Sequence, residues 1–498
     1  MKKLFVIIAA AITFVACGNQ VPTTFNTSDK LPDIYPDYTN VTVPINIAPL
    51  TFEPEEKSDG IVARLTTGNE EVVCSGMKIQ PDADDWRRLT ESAKGEAINV
   101  EVYIQKEDQW TKYKDFNIYV SSDSIDPYIS YRLIAPSYIT YEELTINQRC
   151  LENYDESVIY DNMLCQNPAE GQCINCHNYQ QYNPERMQFH ARQYQGGTVI
   201  AYDGKIRKVN MKSDSILSAG VYPAWHPWLP LIVYSTNKTM QTFHVTNPDK
   251  IEVFDTQSDL IAYDVEHNEV TNIEKDPMEF EVFPTWAPDG KTLYYCSAHF
   301  EFKDSVSPGV ELIQRFKEVK YNIYKKSFDL NTKTFGPREL VFRADTLGMS
   351  TTLPRISPDG RYLMFTLGKY GVFHIWHKDA DLYMMDLTTG QVRNMKETNS
   401  PDVESYHSWS SNGRWVVFSS RRYDGNFTRP FIAHIDQNGH GAKPFELPCA
   451  DPDFHRQFMK SYNIPEFMRG PVTISPQSFA DVLKKDGEQV KYQEKLRK

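Results

Sequence analysis

Trp286-Ala287-Pro288-Asp289-Gly290, with the apolar run Thr292-Leu293-Tyr294-Tyr295-Cys296 just behind it, reads as a tight turn feeding a β-strand. Pro presets φ, Asp bonds the backbone it turns, and Gly tolerates positive φ. The pattern recurs without gaps at Ile356-Ser357-Pro358-Asp359-Gly360 before Tyr362-Leu363-Met364-Phe365-Thr366, and at Trp409-Ser410-Ser411-Asn412-Gly413 before Trp415-Val416-Val417-Phe418-Ser419. A further copy, Trp225-His226-Pro227-Trp228-Leu229-Pro230 before Leu231-Ile232-Val233-Tyr234-Ser235, lacks the Asp-Gly. In each copy the strand starts six residues after the anchoring Trp or Ile. Second strand pairs follow, as at Asp381–Leu387 with Thr388-Thr389-Gly390 as the turn, and near Asp259, Asn322 and Arg429. Two hairpins per unit make a four-stranded propeller blade, with the Trp and Ile anchors packed in its core.

Working outward, Gly197-Thr198-Val199-Ile200 through Val209 reads as half a blade, closed by strands near Val472-Thr473-Ile474. Five blades is the resulting count, with six as the alternative. The stretches Met240–Phe254 and His299–Val319 are loops on one face. Before the repeats, Ile98, Val100, Val102 and Ile104 alternate with polar neighbours, and Phe116–Val120 alternates too, which predicts a small β-sandwich. The repeats resemble the TolB-like, WD-repeat-like β-propellers over roughly residues 195–475. That resemblance implies a mainly β fold and, by itself, no substrate.

Between sandwich and propeller stands Cys173-Ile174-Asn175-Cys176-His177. C-x-x-C-H is the attachment signature of a c-type haem. Two thiols one helical turn apart reach the vinyl groups of one haem, and the adjacent His supplies an axial nitrogen to the iron. The motif is therefore expected on a helix, or beginning one, within a short helical segment holding one covalent haem c. Asn183-Pro184-Glu185 reads as a helix start that would carry Met187 and His190 on one face. Either is a candidate distal ligand, as are the distant His226 and His407; an open site is the alternative. Zinc competes because Cys150, Cys165, Cys173 and Cys176 lie close together, although their spacing gives no pair of C-x-x-C knuckles. A structural disulfide is the third reading, with Cys150–Cys165 the first pair to consider.

The chain opens Met1-Lys2-Lys3, runs apolar from Leu4 to Ile12 and closes on Phe14-Val15-Ala16-Cys17. A basic start, a short apolar core and small residues at the end make a secretory signal. Its last residues resemble a bacterial lipobox, which implies cleavage before Cys17 and lipidation of that residue; Phe14 stands where Leu is typical. Haem c is attached beyond the inner membrane, so the two motifs support each other. Gly18-Asn19-Gln20-Val21 has no acidic export mark, which favours a lipoprotein facing the periplasm, held to the membrane only by its N-terminal lipid.

The formal charge of −13 and the absence of a basic block exclude nucleic acid as a partner. With 29 Tyr, 26 Phe and 30 Pro, composition suits strands and turns. The order is signal and lipobox (1–17), tether (18–37), β-sandwich-like domain (38–136), haem c segment (137–194), propeller (195–477) and tail (478–498) with a short helix. It resembles lipoproteins that put a C-x-x-C-H segment before a TolB-like propeller, which implies haem at Cys173, Cys176 and His177. Two function classes follow. One is electron transfer or redox sensing, with the propeller docking a protein redox or envelope partner. The other is an envelope scaffold or binding protein, for a protein or glycan, in which the cysteines are structural. An enzyme is a weaker third class, for which His226, His374, His377 and His407 are candidates to line a central channel. No G-x-S-x-G elbow is present, and too few residues follow the propeller for a hydrolase domain.

Overall fold

The computed structural model describes residues 20–135, 143–165, 167, 169–303 and 307–497. The signal and Cys17 lie outside them. Among the described residues no helix is long and apolar enough to cross a membrane. The chain is mainly β, and its larger part is a propeller-like arrangement of antiparallel sheets.

Six strands of that arrangement border one central cavity, the second and third of them within one continuous sheet. We label these β1 (Gln172–Tyr179), β2 (Gly220–Trp225), β3 (Glu279–Trp286), β4 (Ser350–Ile356), β5 (Glu404–Trp409) and β6 (Ser461–Met468). The expected hairpins are present: β3 pairs with Thr292–His299, β4 with Tyr362–Gly368 and β5 with Trp415–Ser420. The anchors Trp225, Trp286, Ile356 and Trp409 are buried where their hairpins turn, as blade-core packing requires.

Three expectations change. The half-blade at 197–209 is completed from within the supposed haem segment, by β1 and Met187–Gln193. Val472–Ile474 is not a strand; the closing strand is β6, eight residues long and rich in buried side chains. β6 joins Tyr128–Ile134, Thr145–Cys150 and Glu156–Asp161 in one four-stranded sheet, so strands far apart in sequence make a single unit. A boundary at 136/137 therefore cuts a sheet, and 137–194 is not a separate module.

In the N-terminal part seven strands join in one continuous hydrogen-bonded sheet, beside a two-stranded ladder of Ile34–Tyr35 with Glu53–Pro54. The reason is the length of Ala97–Lys106: its first half pairs with Phe116–Ser121 and its second with Gln109–Lys112. Ile98, Val100, Val102 and Ile104 are buried as the alternation requires. The helix Ala83–Ser92, capped by the Asp82 carboxylate, packs Trp86 and Leu89 on the same core. That core runs on without a break into Tyr131, Trp415 and Tyr462 of the propeller. At the other end the expected helix is Pro476–Leu483, and the tail beyond it adds Glu488–Gln489 and Lys491–Tyr492 to two outer sheet edges.

Candidate functional site

The axis is built by one local irregularity repeated in every inner strand. Each ladder slips at a bulge, and the first bulged residue has positive φ: Cys176, Tyr222, Phe283, Leu353, Tyr406 and Ile464, all between 49° and 58°. A bulge leaves residues outside the ladder, so the next position tolerates a residue without an N–H. It is Pro223, Pro284, Pro354 and Pro465 in four strands, and His177 and His407 in the other two. Positive φ at a non-glycine residue often marks functional strain. Here Leu353 and Ile464 share it with Cys176, so it belongs to the fold.

C-x-x-C-H is thus laid on strand β1, not on a helix. His177 does the work of its counterpart. His407 donates through Nε2 to the Met364 carbonyl at 3.1 Å, and Leu353 offers a second carbonyl close by. His177 has the carbonyls of Ser130 and Ile464 in the equivalent places, in a looser fit that leaves both ring nitrogens without a well-formed hydrogen bond. Burial holds both imidazoles at about 3, with Arg132 and Arg355 respectively adding to the effect, so both are neutral at pH 7. Burial pushes the Cys176 thiol up, against the opposing Arg192 charge.

These residues do not fit a covalent haem. The cavity at the bulges, walled by Cys176, His177, Tyr222, Tyr406, His407 and their equivalents, measures about 30 Å³. A single water needs ~10–15 Å³, and a drug-sized ligand several hundred. Cys173 borders the cavity at one end of the axis, whereas Cys176 and His177 line the small axial cavity itself, so the three do not face one open space. Met187 and His190 fall on a strand: Asn183-Pro184 turns the β1 hairpin and starts no helix. Residues three apart on a strand face opposite ways. Met187 is core, and His190, held near 3 by burial, bonds Thr198 Oγ1 at 3.1 Å.

The other candidates separate likewise. His226 orders its own turn and bonds the Gly290 carbonyl at 2.9 Å. His374 bonds Thr352 Oγ1 and the Tyr370 carbonyl, and His377 pairs with buried Glu252 at 2.5 Å. Only His407 of the four lines the axial cavity. Cys150 and Cys165 are unbonded and sit at opposite ends of their hairpin, where Thr145 faces Asp161. Among the described residues no group of His, Cys, Asp and Glu has metal-holding geometry.

The axis opens into a cavity of about 160 Å³ at each end. One is walled by Trp225, Trp286, Trp409, Arg355 and Glu466. Its charges are matched: Glu466 accepts from Arg355 at 3.1 Å, Asn178 at 3.3 Å and Ser408 at 3.2 Å. The other end brings together Arg132, Arg192, Cys173, Asn175, Asn237, Gln241, Tyr222, Phe373 and Tyr406. Among the described residues no carboxylate lines it. Arg132 is only 5% exposed; it donates to the Ile174 carbonyl at 3.2 Å and to the Asn463 side-chain oxygen at 3.1 Å, while its Nε and the Asn175 Oδ1 are buried without partners. Asn237 is fixed from behind by Asp255, which Tyr321 also bonds; burial pushes Asp255 up to about 6.

Sequence reasoning passed over Arg132, Arg192 and Asn237, which no motif marks. It also passed over a signal that was there. Asn175-Cys176-His177-Asn178-Tyr179 aligns without gaps with Val221-Tyr222-Pro223-Ala224-Trp225 and with Asn463-Ile464-Pro465-Glu466-Phe467, which adds two copies to the repeat.

No protein-family model matches the chain, and no curated protein does. Solved structures match at low identity. An oligogalacturonate lyase in complex with manganese aligns at 11% identity over 64% of this chain and 72% of its own, with a TM-score of 0.36. Prolyl oligopeptidase B from Galerina marginata, bound to a 25mer macrocyclization substrate, aligns at 9% over 65% and 44%, with a TM-score of 0.36. The Niastella koreensis GH74 enzyme aligns at 10% over 69% and 44%, with a TM-score of 0.34. This chain spans less than half the length of the last two. Likeness at this level concerns the propeller-like fold alone.

Proposed function

We propose that this protein is a binding protein of the bacterial envelope whose propeller takes a small organic anion at the arginine-lined end of its axis. The observation that carries this reading is Arg132: a buried guanidinium with an unpartnered Nε, in a cavity with no lining carboxylate among the described residues. In a chain of formal charge −13, an acid-free cationic pocket is a local reversal of sign that attracts anions. A carboxylate suits it, because a guanidinium presents paired donors to two oxygens. Asn175, Asn237 and Gln241 offer neutral polar partners, and Tyr222, Tyr406 and Phe373 an aromatic wall for the ligand's body.

The same reading takes the ring as six blades of the TolB-like kind, the last made by β6 with three strands from before β1. It keeps the lipid tether at Cys17, on the strength of the signal and lipobox alone. Electron transfer through a covalent haem is left out of it, since the 30 Å³ cavity gives a porphyrin no room.

Calorimetric titration with small mono- and dicarboxylates, uronic acids and inorganic phosphate tests the proposal on the wild type and on Arg132→Gln. At least one carboxylate should bind, and the variant should lose ten-fold or more in affinity while melting close to the wild type. Binding of none of these anions, or equal binding by a folded variant, would overturn the reading.

A further inference from the structure

Outside the axial cavities, where the N-terminal sheet meets the propeller, a second chemical constellation is buried. Cys449 Sγ lies 3.5 Å from His455 Nε2, which also meets the Tyr462 hydroxyl at 3.2 Å, 3.5 Å from a guanidinium nitrogen of Arg149 and 3.7 Å from the Leu447 carbonyl oxygen. His455 Nδ1 bonds Glu446 Oε1. Glu446 is held in turn by Tyr423 at 2.8 Å and by Tyr35 of the N-terminal part at 3.5 Å. The backbone is clamped as well, since Thr51 donates to the Cys449 carbonyl at 2.5 Å. A thiol beside an imidazole whose far nitrogen is oriented by a carboxylate is the arrangement that activates a sulfur nucleophile.

We propose that Cys449 is a nucleophilic thiolate, activated by His455 and Arg149, that reacts with peroxides and other small electrophiles. The groups facing the sulfur are His455, Arg149, Tyr38, Tyr154 and Tyr462. Burial opposes a charged sulfur, yet His455 and Arg149 outweigh it and hold the thiol below its ordinary value. Burial likewise opposes a charged His455, but Cys449 and Glu446 outweigh it and raise the imidazole to about 9. Each group thus favours the charged form of the other, thiolate beside imidazolium. With hydrogen peroxide, the sulfur attacks one oxygen: the S–O bond forms and the O–O bond breaks. The departing hydroxide takes a proton from the His455 imidazolium and leaves as water. Sulfur gives up two electrons and becomes a sulfenic acid, and the peroxide is reduced.

The chain carries its own control. Cys74 has the same exposure as Cys449, 7%, but burial pushes its thiol up to about 11. The residues are equally exposed, and the Cys449 thiol itself is the more deeply buried of the two, so faster labelling there is not an effect of exposure. Folded full-length protein treated with iodoacetamide at pH 5–9 should, by peptide mass mapping, label Cys449 at least ten-fold faster than Cys74 at pH 6. Peroxide followed by a sulfenic-acid trap should mark Cys449. His455→Gln, monitored for folding, should bring the Cys449 labelling profile toward that of an ordinary thiol. Equal rates for the two cysteines across this range, or a Cys449 that stays unmodified in the folded protein, would overturn the proposal; so would a rate unchanged in the folded variant.

Discussion

The two ends of the axis share the same strands and the same bulges, and they treat charge in opposite ways. At one end Glu466 matches Arg355 and takes two further hydrogen bonds. Each end keeps an arginine Nε idle, Arg355 at the first and Arg132 at the second, but only the second is without an acid among the described residues. A fold under selection for stability alone satisfies its buried ions. The matched end therefore reads as a seal, and the unmatched end as a place that leaves room for something else.

The largest effect expected from this contrast is on stability. Arg355→Met takes the cation from Glu466, a part-buried carboxylate left with Asn178 and Ser408, and losing a charged hydrogen bond costs ~1.5–3 kcal/mol. Denaturant melts should show that loss. Arg132→Gln should cost about 1 kcal/mol, in the range of a hydrogen bond without a charge partner. Equal destabilisation by the two substitutions would break the comparison.

A second effect is pH-dependent. Glu281, two residues before the first bulged residue of β3, is fully buried with both carboxylate oxygens unpartnered. Burial raises it to about 9, with Glu274 and Asp259 adding to the shift. A group raised in the folded state binds its proton more tightly there, so stability is present below the unfolded value near 4.5 and is lost as pH rises toward 9. Glu281→Gln should remove that slope and gain on the order of 1–3 kcal/mol at the alkaline end. A wild-type melt independent of pH across this window would show that Glu281 is solvated after all.

How much of this was legible follows from how each signal is carried. Pro-Asp-Gly and its anchors are local, so the hairpins of β3, β4 and β5 could be read directly. The copy at β1 was hidden because its turn is the wider Tyr182-Asn183-Pro184-Glu185, which imitates a helix cap. The copy at β6 was hidden because its partner strands lie more than three hundred residues earlier, beyond any periodicity. Arg132 carries no pattern; only the closed sheet brings it to the axis. The clearest local motif, C-x-x-C-H, predicted a helix where the chain has a strand, because its last two residues also satisfy a longer-range rule, an apolar residue at positive φ followed by Pro or His.

That rule yields the smallest and sharpest prediction. If His177 is a strut of the repeat, it should be exchangeable for the residue that stands there in β2, β3, β4 and β6. His177→Pro should fold and cost no more than ~1 kcal/mol, because its preset φ lowers unfolded-chain entropy while a loosely held imidazole is lost. His407→Pro should cost more, since the 3.1 Å bond to the Met364 carbonyl goes with it. The same wild-type chain, exported from a host that matures haem c, should give no haem-stained band on a denaturing gel. A stained band that vanishes in Cys176→Ala would restore the haem ligand in place of the strut. It would also require β1 to leave the ring, because the bulge that seats Cys176 and His177 has no room for a porphyrin.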